Sequence, residues 1–171
     1  MNELYTRVSS TTKQVLYQYM KDNYISLLKY NFTYFFHCCV QKYKIKIISH
    51  HFSNHKIEGL TVVDELGTSF SYERDNPKVK QNFTLCHELG HYILKHDGNY
   101  FAESIDNQEN LLEREANIFS AVVLMPDIVL LSKIYYSCDT FYQVQNSLEV
   151  SKPALLFRLL DFLREYYPDK D

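Results

Sequence analysis

Over residues 3–36, apolar side chains recur at steps of three and four: Leu4, Val8, Val15, Leu16, Tyr19, Tyr24, Leu27 and Leu28. That period predicts helix, with breaks near residues 9–11 and 31–32. From residue 43 the period changes to two. Tyr43-Lys44-Ile45-Lys46-Ile47-Ile48 alternates apolar with basic and is β-branched, the pattern of a half-buried strand. Residues 57–63 and 68–72 read as two more strands, joined through Asp64-Glu65-Leu66-Gly67, where the glycine suits a hairpin turn. Three such strands make one small sheet.

The helical period returns after Asp75-Asn76-Pro77, where Asn76 suits a cap and Pro77 a first helical position. Val79, Phe83, Cys86, Gly90 and Ile93 then mark an apolar face, and Asp97-Gly98-Asn99 is the expected stop. A second helix opens at Asp106-Asn107-Gln108-Glu109, which has the form of a capping arrangement, and closes at Met125-Pro126. A further helix starts at Pro126. Residues 140–148 and 152–166 form a last pair, joined at Glu149-Val150-Ser151 with Ser151 as cap. The predicted class is α+β: mainly helical, with a small, roughly three-stranded sheet and a C-terminal helix-turn-helix-like pair.

Composition does not disturb this picture. With 46% hydrophobic and 23% charged residues the chain of 171 residues has the make-up of a folded globular protein. No apolar run approaches the ~18 residues that span a bilayer. The start, MNELYTRVSSTTK, lacks a charged-then-apolar signal, so a cytoplasmic protein is expected. Cys38 and Cys39 are adjacent, Cys86 and Cys138 stand alone, and no C-x-x-C occurs, so four reduced thiols are expected. The net charge of −3 is unevenly spread. Residues 1–56 carry eight basic and two acidic groups, 57–138 six and thirteen, 139–171 four and six. The basic groups of the first third are scattered singly, as on a solvated surface, and the acidic C-terminal pair argues against DNA binding there.

The chemistry is concentrated in FTLCHELGHYILKH, where His87, Glu88 and His91 form H-E-x-x-H. Residues four apart share a helix face, so both histidines can hold one metal ion, with Glu88 on the flank of that face as proton acceptor. Gly90 costs a helix ~1 kcal/mol relative to alanine, which points to a close backbone approach. A catalytic zinc takes three protein ligands and keeps one position open. His96, nine residues after His87, would lie about 180° round a continued helix and is excluded as a ligand on that basis. The third ligand is then expected from ENLLEREANIFSAVVLMP. Glu113 is the first choice, on a face with Ala116, Asn117 and Ser120; Glu115, turned toward Leu112, Phe119 and Val122, is the second. Asn117 is placed to bond a ligand histidine, and Cys86 is expected to be a buried small residue.

Together, FTLCHELGHYILKH, EREANIFSAVVLMP and the closing NSLEVSKPALLFRLLDF resemble the ImmA/IrrE family of zinc metallopeptidases over roughly residues 57–162. The resemblance implies a minimal zincin-type metallopeptidase domain over residues 1–138. Residues 139–171 would be a helix-turn-helix-like extension packed on it. It implies one catalytic Zn2+ held by His87, His91 and Glu113, with Glu88 as the catalytic carboxylate. It also implies a protein substrate, a helix-turn-helix transcriptional repressor cut in a stress response or mobile-element switch. Cys86 and Ser120 stand where the family more often has alanine. A substrate strand is expected to add to the sheet edge near residues 68–72. Two other readings are a metal-bound anti-repressor that does not cut its partner, and a DNA-binding protein acting through its last two helices.

Overall fold

The computed structural model describes residues 3–26, 29–52, 57–96, 107–137 and 139–166, with the backbone alone for 107–110. They form two compact units, one of Met1–Phe32 with Ala121–Asp171, the other of Thr33–Ser120. The described part is α+β and mainly helical, with one three-stranded sheet. No single helix among the described residues is long and apolar enough to cross a membrane.

The unit Thr33–Ser120 holds the metal motif. Its first helix, α2 (Phe32–Tyr43), buries Phe35, Phe36 and Cys39 on one face. This helix runs to Tyr43, so the alternation expected to be strand from residue 43 starts as helix end and turn. Lys44 takes a left-handed conformation (φ 56) and β1 begins only at Lys46, running Lys46–His50. The helical spacing of the buried aromatics outweighs the local two-residue pattern. Strands β2 (Gly59–Asp64) and β3 (Gly67–Glu73) form the expected hairpin. Asp64 pairs with Gly67, Asp64 Oδ1 accepts from the Leu66 N–H at 2.8 Å, and Gly67 sits at φ 116, where a side chain would be strained.

The sheet order is β1-β3-β2, with β1 parallel and β2 antiparallel to β3. This corrects the expected free edge at residues 68–72. That stretch is the central strand, with Phe70 fully buried in it, and the hairpin's outer edge, unpaired among the described strands, belongs to β2.

Helix α3 (Lys78–Ile93) carries the H-E-x-x-H motif. Pro77 is its N-cap residue, one position later than expected, and Asn76 makes no side-chain cap. Instead the Gln81 side chain reaches back to the carbonyls of Arg74 and Asn76, both at 2.8 Å. The buried face is Asn82, Leu85, Cys86, Leu89 and Gly90, rotated from the expected one, with Phe83 exposed. The helix also ends early. Lys95 is left-handed (φ 57), its N–H bonds Tyr92 O, and the His96 N–H bonds His91 O at 3.0 Å. These two bonds are a Schellman stop, normally made with glycine. The expected stop at residues 97–99 lies outside the described residues, as do Leu27, Leu28, Cys138 and the Asp106 cap.

Two close approaches lock α3 in place. A Cβ on Gly90 would stand 3.0 Å from the Phe119 ring of α4 (Asn107–Leu124), so the expected close approach is found there. A Cβ on Gly59 of β2 would collide with Thr84 Cγ2 and stand 2.9 Å from Glu88 Oε1.

The other unit contains α1 (Glu3–Asp22), α5 (Asp127–Leu131) running into a π-helical turn (Ser132–Tyr136), α6 (Phe141–Leu148) and α7 (Lys152–Tyr166). The break expected at residues 9–11 is absent. Ser9, Thr11 and Thr12 hydroxyls bond carbonyls three or four residues back, so they are satisfied without interrupting the helix. Thr140 and Gln143 make a capping box on α6, and Ser151 Oγ accepts from the Ala154 N–H to cap α7 as expected. Arg158 is completely buried. It pairs with Asp127 and donates to Met125 O at 3.1 Å and Tyr5 Oη at 3.0 Å. Lys13 joins Asp127 at 2.7 Å and Glu165 at 2.5 Å.

Two stability predictions follow from these contacts. Gly59→Ala overpacks a stiff threonine and should destabilise by about 1–3 kcal/mol in urea unfolding. Asp127→Asn strands the Arg158 charge and should lose about 3–5 kcal/mol. Burial opposes the charge on Asp127, but Arg158 and Lys13 outweigh it and hold the carboxyl below its ordinary 3.8. Its contribution is therefore complete above that value and is lost as pH falls through the depressed one. The Asp127→Asn variant should show a flatter acid limb than wild type.

Candidate metal centre

His87 and His91, one turn apart on α3, bring their Nε2 atoms to 3.0 Å from each other. Glu113 reaches both from α4, with Oε2 3.1 Å from His87 Nε2 and Oε1 3.3 Å from His91 Nε2. One donor atom from each of the three residues lies within 4.8 Å of the other two. Glu113, the first choice from the sequence, thus lies beside the histidine pair. Glu115 is elsewhere, buried at 6% exposure, with Oε2 3.0 Å from His96 Nε2.

His96 is the residue that the sequence misplaced. A continued helix would have carried it to the far side, but the left-handed Lys95 turns the chain back. His96 Nδ1 lies 2.9 Å from His91 Nδ1. A helix stop at lysine leaves no glycine to read, and the visible Asp97-Gly98 lies too late. The signal that remained was the histidine itself, within a short run of the motif.

Asn117 stands where expected, its Oδ1 accepting from His87 Nδ1 at 3.1 Å. With His87 Nδ1 occupied in this way, Nε2, which faces Glu113 and His91, is the nitrogen available to a metal. Glu88 is held from the sheet, where the Thr61 hydroxyl of β2 donates to Oε2. Nothing in the sequence marked Thr61, since a threonine in a strand is ordinary. Cys86 is fully buried against α4, where burial pushes its thiol up, so it behaves as the expected small core residue.

His87, Glu88, His91, Glu113 and Asn117 line a cleft of about 1120 Å³, walled on one side by Gly59, Thr61 and Val63 of β2. The electrostatics are those of a cation site. Hydrogen bonds with His87 and His91 hold Glu113 well below the usual carboxylate range. Burial disfavours charge on His87, but Glu113, Glu88 and Asn117 outweigh it and raise its pKa. Burial lowers that of His96, against the opposing pull of Glu115. Two imidazole nitrogens and one carboxylate oxygen around a point open to a cleft are the donor set of a catalytic zinc site, so these residues fit a metal.

A second group, His51, Glu73 and Asp75, is also drawn together, with His51 Nδ1 3.0 Å from Asp75 Oδ2 and 3.5 Å from Glu73 Oε1. Both Glu73 oxygens already accept backbone N–H groups, from Phe52 at 2.8 Å and Asp75 at 3.1 Å. This group ties the ends of β1 and β3 together.

No curated protein matches the chain. The family model for the IrrE N-terminal-like domain matches residues 40–160, a stretch containing the sheet, both motif helices and the buried Arg158. The chain therefore belongs to this peptidase family, the M78 metallopeptidases, which implies that it uses a metal.

Proposed function

We propose that the protein is a zinc-dependent endopeptidase whose metal ligands are His87, His91 and Glu113 and whose catalytic carboxylate is Glu88. The observation carrying this is the convergence of three donor atoms from two helices, with Glu88 beside them. Zinc bound there would polarise the scissile carbonyl and make water a stronger acid.

The remaining steps fall to the chain's own residues. Glu88 accepts the proton of the attacking water and returns it to the leaving amine, work worth about 10²–10⁴ in rate. Thr61, bonded to Oε2, holds that carboxylate in one orientation. Asn117 and His87 fix one imidazole so that its Nε2 faces inward. The substrate enters as an extended strand along the free edge of β2, which walls the cleft and offers its unpaired backbone groups.

The substrate class rests on the family resemblance: a helix-turn-helix repressor in the cytoplasm, cut to release a stress response or mobile element. The C-terminal pair is better suited to packing than to reading DNA. On α7, Arg158 is buried, and the exposed face carries Leu156, Phe157, Leu160 and Leu163, a poor match for phosphates.

Glu88→Gln should retain stoichiometric zinc yet cleave a repressor substrate about 10²–10⁴-fold more slowly, measured by mass spectrometry of the products. Cleavage by Glu88→Gln at the wild-type rate sinks the mechanism. A chelator should abolish cleavage and added zinc restore it. An intact repressor after incubation with zinc-loaded wild type would indicate sequestration instead of proteolysis. Glu113→Ala should weaken zinc binding by more than the about 10–100-fold that outer partners contribute, read by competition with a chromophoric chelator.

A further inference from the structure

The ligand His91 is connected outward through a second histidine to a buried carboxylate. Its Nδ1 meets His96 Nδ1 at 2.9 Å, and His96 Nε2 meets Glu115 Oε2 at 3.0 Å. The His91 and His96 rings stand edge to face, with centroids 4.9 Å apart. The His96 side chain is 3% exposed and that of Glu115 8%, so water does not compete freely for either contact.

The direction of the protons along this chain follows from what each atom can do. A carboxylate only accepts, so His96 Nε2 carries a hydrogen and donates it to Glu115. In a neutral imidazole the other nitrogen then accepts, so His96 Nδ1 offers a lone pair. The facing His91 Nδ1 must be the donor. His91 Nδ1 is thereby kept as the donor when Nε2, which faces Glu113 and His87, is given to a cation. Reversing any link would put a proton on His91 Nε2, where it would block a metal.

We propose that His96 and Glu115 are positioning residues, a carboxylate–histidine relay that fixes the tautomer and orientation of His91 for metal binding. This rests on the metallopeptidase reading above. A ligand histidine commonly has a carboxylate or carbonyl behind it. Here a second imidazole is interposed, and the geometry depends on the left-handed Lys95 that returns the chain after α3. The two ligand histidines are thus supported differently, His87 by the Asn117 amide oxygen and His91 by the relay. Glu113 and Glu115, two residues apart on α4, take complementary tasks, one toward the metal and one behind its ligand.

The test uses the full chain and zinc, with two readouts. Long-range proton–nitrogen spectra of the histidine rings in the zinc-loaded wild type should show His91 bound through Nε2 with its Nδ1–H hydrogen-bonded to His96, and this needs no variant. A His91 ring that binds zinc through Nδ1, or whose Nδ1–H has no bond to His96, would overturn the relay. In Glu115→Gln, whose amide can donate as well as accept, the His96 ring should become a mixture of tautomers. Zinc affinity, by competition with a chromophoric chelator, should fall about 10–100-fold in Glu115→Gln and in His96→Phe. Both variants retaining wild-type zinc affinity within twofold would likewise overturn it. The two readings fail differently. Wild-type protein that binds no stoichiometric zinc would end the metallopeptidase reading and the relay together. Wild type that binds zinc and cleaves, with both variants unaffected in affinity and tautomer, would end the relay alone.

Discussion

How near α3 can come to its neighbours decides whether this protein has a site. At Gly90 the backbone of α3 lies where a Cβ would meet the Phe119 ring at 3.0 Å, and one turn away on α4 Glu115 and Asn117 meet groups from the α3 segment. At Gly59 the strand β2 comes as close from another side, against Thr84 and Glu88. A carboxylate side chain spans only a few ångströms, so Glu113 bonds both histidines at 3.1 and 3.3 Å only because the helix axes are close. The glycine in H-E-L-G-H thus offsets its helix cost of ~1 kcal/mol by letting the ligands converge.

That closeness has an electrostatic consequence. Two imidazole nitrogens 3.0 Å apart and a carboxylate beside them concentrate lone pairs in one place. In water such a grouping would disperse. Here Asn117, Glu115 and His96 hold the rings from behind, and Thr61 holds Glu88. These contacts fix the donor atoms in an arrangement that one cation can share. The same buried surroundings push Cys86 toward an inert thiol.

The unit of Met1–Phe32 with Ala121–Asp171 is organised differently, around a buried guanidinium. Arg158 has its donors matched by Asp127, Met125 O and Tyr5 Oη, and Lys13 shares Asp127 with it. Buried charge is costly unless paired and hydrogen-bonded, so this network constrains how α1, α5 and α7 meet. An arginine in a leucine- and phenylalanine-rich helix looks in sequence like a surface charge, or like a residue for nucleic acid. Its burial comes only from the partners that distant segments supply.

The chain by itself determined what depends on neighbours along the sequence. The hairpin turn at Gly67, the cap at Ser151, the end of α4 before Pro126, and the i, i+4 histidine pair are local matters of torsion and hydrogen bonding. The face of α4 that carries Glu113 and Asn117 was legible too, from helical spacing, although that spacing left Glu115 open beside Glu113. Only the tertiary structure decided which strand is central, since pairing order is set by contacts far apart in sequence. It also decided the fate of His96. One lysine in a left-handed conformation, stabilised by carbonyls at the end of α3, moved that histidine from the excluded side of a helix to direct contact with His91. Periodicity assumes that the helix continues; where it stops is settled by backbone bonds and burial that no period records.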